Sequence, residues 1–293
     1  MQLKFVVVTD IHVGPEELYE GRQKKLSRFS LPFLRDLLTD IECNIKPQFV
    51  VQLGDLIEDS AVPDDDEANY RSAISLFDSL PIPVLHAIGN HETVNLPVEK
   101  LLSHLGRTAP YYSMDIGPVH CVVLMASTRA HTDIHIDAAQ RDWLAADLRK
   151  TEKPTLVFLH HLIDEQNLNG SFWFEKYAEY CFVHERAEVR TILEQSAKVL
   201  AVFNGHIHRN NLWTHSGIPY FSTQSFVENV HPGDGALCSQ SYAVVEINQE
   251  QITVEVRGKD PALFEVRSPF KLMPCSPGSE YPASEFRCVS RSL

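Results

Sequence analysis

The sequence predicts an α/β fold, with helices flanking two packed mixed sheets in a single domain. Two observations predict it. Through most of the 293 residues, short β-branched runs alternate with amphipathic helical stretches. After His208 the pattern changes to a series of short strands, the mark of an added antiparallel segment.

The elements follow in order. Leu3 to Thr9 is a continuous apolar run, as expected of a strand covered on both faces. From about Arg22 to Cys43, Leu26, Phe29, Phe33, Leu34, Leu37, Leu38 and Ile41 fall at roughly helical spacing, and Pro32 starts or kinks that helix. Phe49 to Leu53 reads as the second strand. Asp64, Asp65, Asp66 and Glu67 suit the N-terminus of a helix running through Leu80, where the macrodipole favours carboxylates. Val84 to Ile88 is the third strand. Val119 to Met125, Thr155 to Leu159 and Val199 to Phe203 follow, separated by helices at about Asp137 to Lys150 and Glu185 to Ser196. Asn211 to Thr214, Pro219 to Ser222, Tyr242 to Ile247 and Gln251 to Arg257 complete the strands. Residues 1–267 form the domain, and the Ser- and Pro-rich stretch 268–293 reads as an extension.

Composition narrows the partners. With 39 acidic and 26 basic side chains the formal net charge is −13, which opposes attraction to nucleic-acid polymers and anionic membranes. No apolar run approaches the ~18 residues of a membrane span. The short apolar N-terminus lacks a small-residue cleavage site and reads as a buried strand. Cys43, Cys121, Cys181, Cys238, Cys275 and Cys288 are scattered, as reduced thiols are, so a cytoplasmic location is expected.

The informative feature is where chemistry-bearing residues fall. Asp10 and His12 lie just past the first strand, Asp55 past the second, and Asn90 and His91 past the third. His160 and His161 end the Thr155 strand, and His206 and His208 follow the Val199 strand. Strand C-termini of an α/β sheet open on one crevice, so separate segments deliver metal-capable side chains to one edge. Singly, each has an ordinary structural reading, a turn or a hydrogen-bonded histidine. Their conjunction, each at a strand end, points to a metal site.

The motifs Asp10-x-His12, Gly54-Asp55, Gly89-Asn90-His91-Glu92, His160 and Gly205-His206-x-His208 resemble those of the calcineurin-like metallophosphoesterase superfamily, over roughly residues 3–258. That resemblance implies a four-layer α/β sandwich and two divalent ions drawn from Mn, Fe, Zn or Co. It implies Asp10, His12 and His208 as ligands of one ion, Asn90, His160 and His206 of the other, and Asp55 as the bridge. His91 takes the part of the residue that contacts the phosphate or protonates the leaving group, with Asp10 or Glu92 accepting its other N–H. Where many relatives carry His-His-Pro, this chain has His160-His161-Leu162; His160 is read as the ligand and His161 as a neighbour in the pocket. The implied chemistry is direct attack by water activated between the two ions, with no Ser or Cys nucleophile.

The leading functional reading is a phosphodiesterase or pyrophosphatase acting on a small nucleotide-like ester. A phosphomonoesterase or protein phosphatase is the alternative, and a silent metal-binding scaffold the third. The segment after His208 resembles the cyclic-nucleotide, glycerophosphodiester and ADP-ribose-type groups. No Arg or Lys lies within the metal motifs, which suits a singly charged diester; Arg129 and Arg209 are the nearest cations. Phe172, Trp173, Phe174 and Tyr177 either anchor their loop or stack on a base.

Overall fold

The computed structural model describes residues 3–268 apart from 130, 131, 232 and 234, with Arg129 described by its backbone alone. In chain order the strands are β1 (Leu3–Val8), β2 (Leu18–Tyr19), β3 (Arg22–Gln23), β4 (Phe49–Gln52), β5 (Val84–His86), β6 (Tyr112–Ile116), β7 (Val119–Val123) and β8 (Ser127–Arg129). They continue as β9 (Thr132–His135), β10 (Thr155–Leu159), β11 (Val199–Asn204), β12 (Asn211–His215), β13 (Ile218–Ser222), β14 (Tyr242–Ile247), β15 (Gln251–Arg257) and β16 (Ala262–Arg267). The helices are α1 (Ser30–Asp40), α2 (Pro63–Phe77), α3 (Glu92–Asn95), α4 (Val98–His104), α5 (Ala138–Lys150) and α6 (Arg186–Ser196).

Two six-stranded mixed sheets carry the architecture, in the orders β16-β15-β14-β1-β4-β5 and β12-β13-β11-β10-β7-β6. β1, β4 and β5 run parallel, as do β7, β10, β11 and β13. Alternation along each central strand sets the layers. Phe5 and Val7 face a core shared between the sheets with Phe158 and Phe203, while Val6 and Val8 pack toward Leu34, Leu37 and Ile74 of α1 and α2. Val157 and Leu159 of β10 face the opposite way, onto Leu144 of α5 and Leu193 of α6. The outcome is helix, sheet, sheet, helix. Between the sheets the Phe5 ring stacks on Phe49 at 4.7 Å and meets Phe203 edge-on at 5.5 Å. Truncating such a ring costs about 3–5 kcal/mol.

The sequence-predicted helix from Arg22 needs correction. Residues 18–23 form the β2–β3 hairpin, turned by Glu20 and Gly21 at positive φ, and Lys25 pairs its backbone with Glu228. Helix begins only at a 3₁₀ turn over Ser27–Phe29. Pro32 lies in the first turn of α1, where its missing N–H costs no hydrogen bond. The half-buried edge strands β6 and β16 carry too little apolar alternation to be read from sequence. Among the described residues Cys43, Cys121, Cys181 and Cys238 are free thiols, and no helix is long and apolar enough to cross a membrane. Residues 269–293 of the extension lie outside the described residues.

Candidate metal centre

The parallel strands end on one edge, and all seven expected ligands follow them there. Five of these residues adopt left-handed backbone: Asp10 (φ 54°), His12 (48°), Asp55 (50°), His206 (68°) and His208 (51°). Non-glycine residues rarely take this conformation, and such strain collects where function demands a direction the strand cannot give. Neighbouring glycines permit the crowding. A Cβ on Gly89 would sit 2.2 Å from Asp55 Oδ1, and one on Gly205 would sit 2.0 Å from Thr9 Oγ1 and 2.8 Å from Asp10 Oδ2.

Each of the four histidines has one ring nitrogen turned outward to an acceptor. His12 Nδ1 meets Glu58 Oε2 at 2.8 Å and His208 Nδ1 meets Glu228 Oε2 at 2.8 Å. His160 Nδ1 reaches the Leu53 carbonyl at 2.9 Å, and His206 Nε2 the Tyr180 carbonyl at 2.7 Å. These neighbours fix the direction of each ring and aim its other nitrogen inward. The inward nitrogens pair off: His12 Nε2 lies 3.2 Å from His208 Nε2, and His206 Nδ1 lies 3.1 Å from His160 Nε2. Asp10 Oδ1 is 3.1 Å from His208 Nε2, and Asp55 Oδ2 is 3.1 Å from His160 Nε2. Two ligands about 2.1 Å from one ion, at octahedral to tetrahedral angles, stand roughly 3.0–3.4 Å apart. Two lone pairs at such a separation repel unless a cation or a proton lies between them. This donor set fits two divalent ions.

The electrostatics agree. Burial disfavours charge on both carboxyls, yet His208 beside Asp10 and His160 beside Asp55 hold them well below the usual carboxylate range. Burial pushes His12 down to about 4 and, with the charge of His160 beside it, His206 down to about 3. Against the same burial, Asp55 raises His160 to about 9 and Asp10 raises His208 to about 9. Each pair therefore sets a ring whose proton affinity is lowered beside one whose proton affinity is raised. A ligating imidazole is neutral, so metal uptake would release a proton held at His160 or His208.

A cleft of about 340 Å³ opens over this cluster, lined by Asp55, Asn90, His91, His206 and His208 together with Tyr19, Lys25, Glu58, Asp59 and Trp173. His91 Nδ1 lies 2.5 Å from Asp59 Oδ1, so Asp59 is its carboxylate partner, not Asp10 or Glu92. Glu92 instead accepts the backbone N–H of Asp55 (3.2 Å), Leu56 (2.6 Å) and Gly89 (3.0 Å), tying two ligand loops together. His161 is buried against His160 and His206, with ring centroids 5.0 and 4.5 Å away. Arg209 does not line this cleft but an adjoining cavity, and the Arg129 side chain lies outside the described residues.

Sequence reading missed three cleft residues. Glu58 and Asp59 follow the flagged Asp55 in one loop, where two more acids were the available signal. Lys25 had none. Its ammonium lies 2.7 Å from Glu58 Oε2 and 3.1 Å from His91 Nε2, reached across 66 residues of sequence. Arg129 and Arg209 are the cations expected nearest the motifs from sequence; the structure adds Lys25 at the cleft, where Glu58 neutralises it. Of the aromatic loop, Phe174 is buried with Leu162, Cys181 and Ile207 and also forms part of the cleft wall, beside Trp173.

Comparison with known proteins agrees with the geometry. The chain is 34% identical over 82 residues to a manganese-dependent ADP-ribose/CDP-alcohol diphosphatase of Arabidopsis thaliana, and 32% identical over 98 residues to purple acid phosphatase 22 of the same plant. The matched stretches span 27% and 33% of this chain but only 26% and 20% of those relatives. A dimetal phosphatase from Danio rerio superposes with a TM-score of 0.71 at 18% identity, over 89% of this chain and 98% of that one. Residues 3–210 match the calcineurin-like phosphoesterase family, and with the two-sheet sandwich and its converging ligands in place, the chain belongs to that family of phosphoester hydrolases.

Proposed function

We propose that the protein is a dimetal hydrolase of phosphodiester or pyrophosphate bonds in a small nucleotide-like substrate. The observation that carries the reading is the pair of inward-facing imidazole contacts, 3.2 and 3.1 Å, each flanked by a carboxylate. Asp10, His12 and His208 would hold one ion, Asn90, His160 and His206 the other, and Asp55 both. Manganese, iron, zinc and cobalt all suit this mixture of imidazole, carboxylate and amide. Bound ions would supply charge neutralisation at the phosphoryl oxygens and an acidified water for attack on phosphorus.

The chain's own residues supply the rest. Asp59 holds His91 so that its Nε2 edge faces the cleft, near Lys25 and 3.8 Å from Asp55 Oδ2. From there the ring delivers a proton to, or stabilises charge on, the departing oxygen. Glu17, Glu58 and Asp59 also line the cleft, against the single ammonium of Lys25. Such a wall repels a monoester, with two charges on one phosphoryl group, more than a diester or diphosphodiester, with one charge on each. The name of the plant diphosphatase relative supports the same substrate class.

The test is metal analysis of the purified protein followed by hydrolysis of bis(p-nitrophenyl) phosphate and p-nitrophenyl phosphate under one metal and pH. Bound divalent ions and faster diester cleavage are expected. A monoester preference of about tenfold or more in kcat/KM, about 1.4 kcal/mol, would reassign the protein as a phosphomonoesterase.

A further inference from the structure

Beyond the metal cleft lies a second cavity of about 300 Å³ that shares the His208 and Trp173 walls with it. Its charges are unevenly satisfied. Lys24 is held 2.6 Å from Glu228 Oε1, and Glu228 in turn backs His208 and accepts from Trp173 Nε1 at 3.2 Å. Arg209 is different. Its guanidinium donates to the carbonyl of Asn169 at 3.2 Å, to the carbonyl of Asn167 and, more weakly, to Gln166 Oε1 at 3.5 Å. These neutral acceptors fix the side chain without cancelling its charge. Among the described residues, Lys25 beside the first cavity and Lys24 beside the second are paired with carboxylates, and Arg209 forms no ion pair. A fixed cation with spare charge, one residue beyond an expected metal ligand, stands out in a protein of net charge −13.

We infer that this cavity is a subsite for a second phosphoryl group of the substrate, contacted by Arg209. The substrate class is then the diphosphodiester, a nucleoside diphosphate esterified to a further group, rather than a simple monophosphate diester. A planar guanidinium fork suits phosphate oxygens, and its ordering cost is already met by the loop carbonyls. The cavity meets the cleft at His208 and Trp173, so a group beside a phosphoryl bound in the cleft would lie within reach of Arg209. This inference deepens the proposed diester or pyrophosphate reading and depends on it.

Calorimetric titration of the metal-loaded protein with a nucleoside 5′-monophosphate and with its α,β-methylene diphosphate analogue tests it, in parallel with kcat/KM for bis(p-nitrophenyl) phosphate. The wild-type protein is expected to bind the diphosphate about tenfold or more tightly than the monophosphate, the scale of one charge-assisted contact. Arg209→Gln is expected to erase most of that ratio, and Arg209→Lys to restore part of it. Equal affinities in the wild type, or an unchanged ratio in Arg209→Gln, would overturn the subsite. If Arg209→Gln fails to fold, the wild-type ratio and Arg209→Lys decide. Absence of any bis(p-nitrophenyl) phosphate hydrolysis in a metal-loaded wild type would instead remove the proposed function itself.

Discussion

The two halves of the candidate metal centre are built from similar ligands but backed differently. Around Asp10, His12 Nδ1 lies 2.8 Å from the buried carboxylate of Glu58, and His208 hydrogen-bonds to the buried carboxylate of Glu228. Around Asn90, the histidines 160 and 206 donate to the backbone carbonyls of Leu53 and Tyr180. A carboxylate acceptor makes an imidazole a stronger donor to metal, and its charge adds to that of Asp10. The half with the neutral amide and carbonyl backing carries less negative charge. On the proposed ligand assignment, the first half would hold an ion more tightly than the second, which would meet the anionic substrate with less negative charge.

Removing what the halves share has the largest expected effect. Asp55→Ala takes away the carboxylate proposed to bridge both, so kcat/KM should fall by more than about 10³ and metal content should drop at both positions. Elemental analysis retaining two ions would break the bridging role. His91→Ala leaves the ligands intact, and its expected cost is about 10²–10⁴ in kcat with metal content preserved. Unchanged turnover would strike His91 from the reaction.

The comparison itself is sharpened by Glu228→Gln, which keeps the shape of the acceptor and removes its charge. The ion held by Asp10, His12 and His208 should bind about 10–100-fold more weakly, with the other ion little altered. Stepwise chelation followed by metal analysis reads the two affinities. Equal weakening of both ions would mean that the backing does not distinguish the halves.

Much of this site was legible because its residues adjoin apolar runs that announce strands. Asp10 follows Val6-Val7-Val8-Thr9, and His206 follows Val202-Phe203-Asn204-Gly205, so position along the chain implied position at the sheet edge. The residues that back the ligands were less legible. Glu228 lies in an irregular segment after β13, and only folding brings it to His208. Lys25 lies in a basic stretch that helical spacing assigned to a helix, and its hydrogen bonds with Glu58 and His91 are long-range contacts. Periodicity reports faces of local elements and carries no information about which loops meet. The tight turns were equally hidden: nothing in Asp10-Ile11-His12 announces two residues at positive φ.

His86 gives the smallest and cleanest effect, because it is a buried histidine on the same sheet edge that takes no part in the ligand set. It ends β5, packs edge-on to Phe77 at 5.4 Å, and its Nδ1 has no hydrogen-bond partner. Burial, with the charge of Arg107 beside it, pushes its pKa down to about 3 from 6.5. The sign follows from where the proton binds. Between those values the unfolded chain takes up a proton that the folded protein refuses, so stability is complete above about pH 6.5 and declines as pH falls toward 3. At pH 5 the loss relative to pH 7 is about 2 kcal/mol. His86→Phe keeps a flat ring against Phe77 and removes the titrating nitrogen. Denaturant unfolding of both proteins at pH 7 and pH 5 should show the variant losing about 2 kcal/mol less on acidification, while its metal content at pH 7 matches the wild type. If both proteins lose stability equally, the acid sensitivity belongs to other groups, and the contrast between a histidine held for metal and one merely buried loses its control.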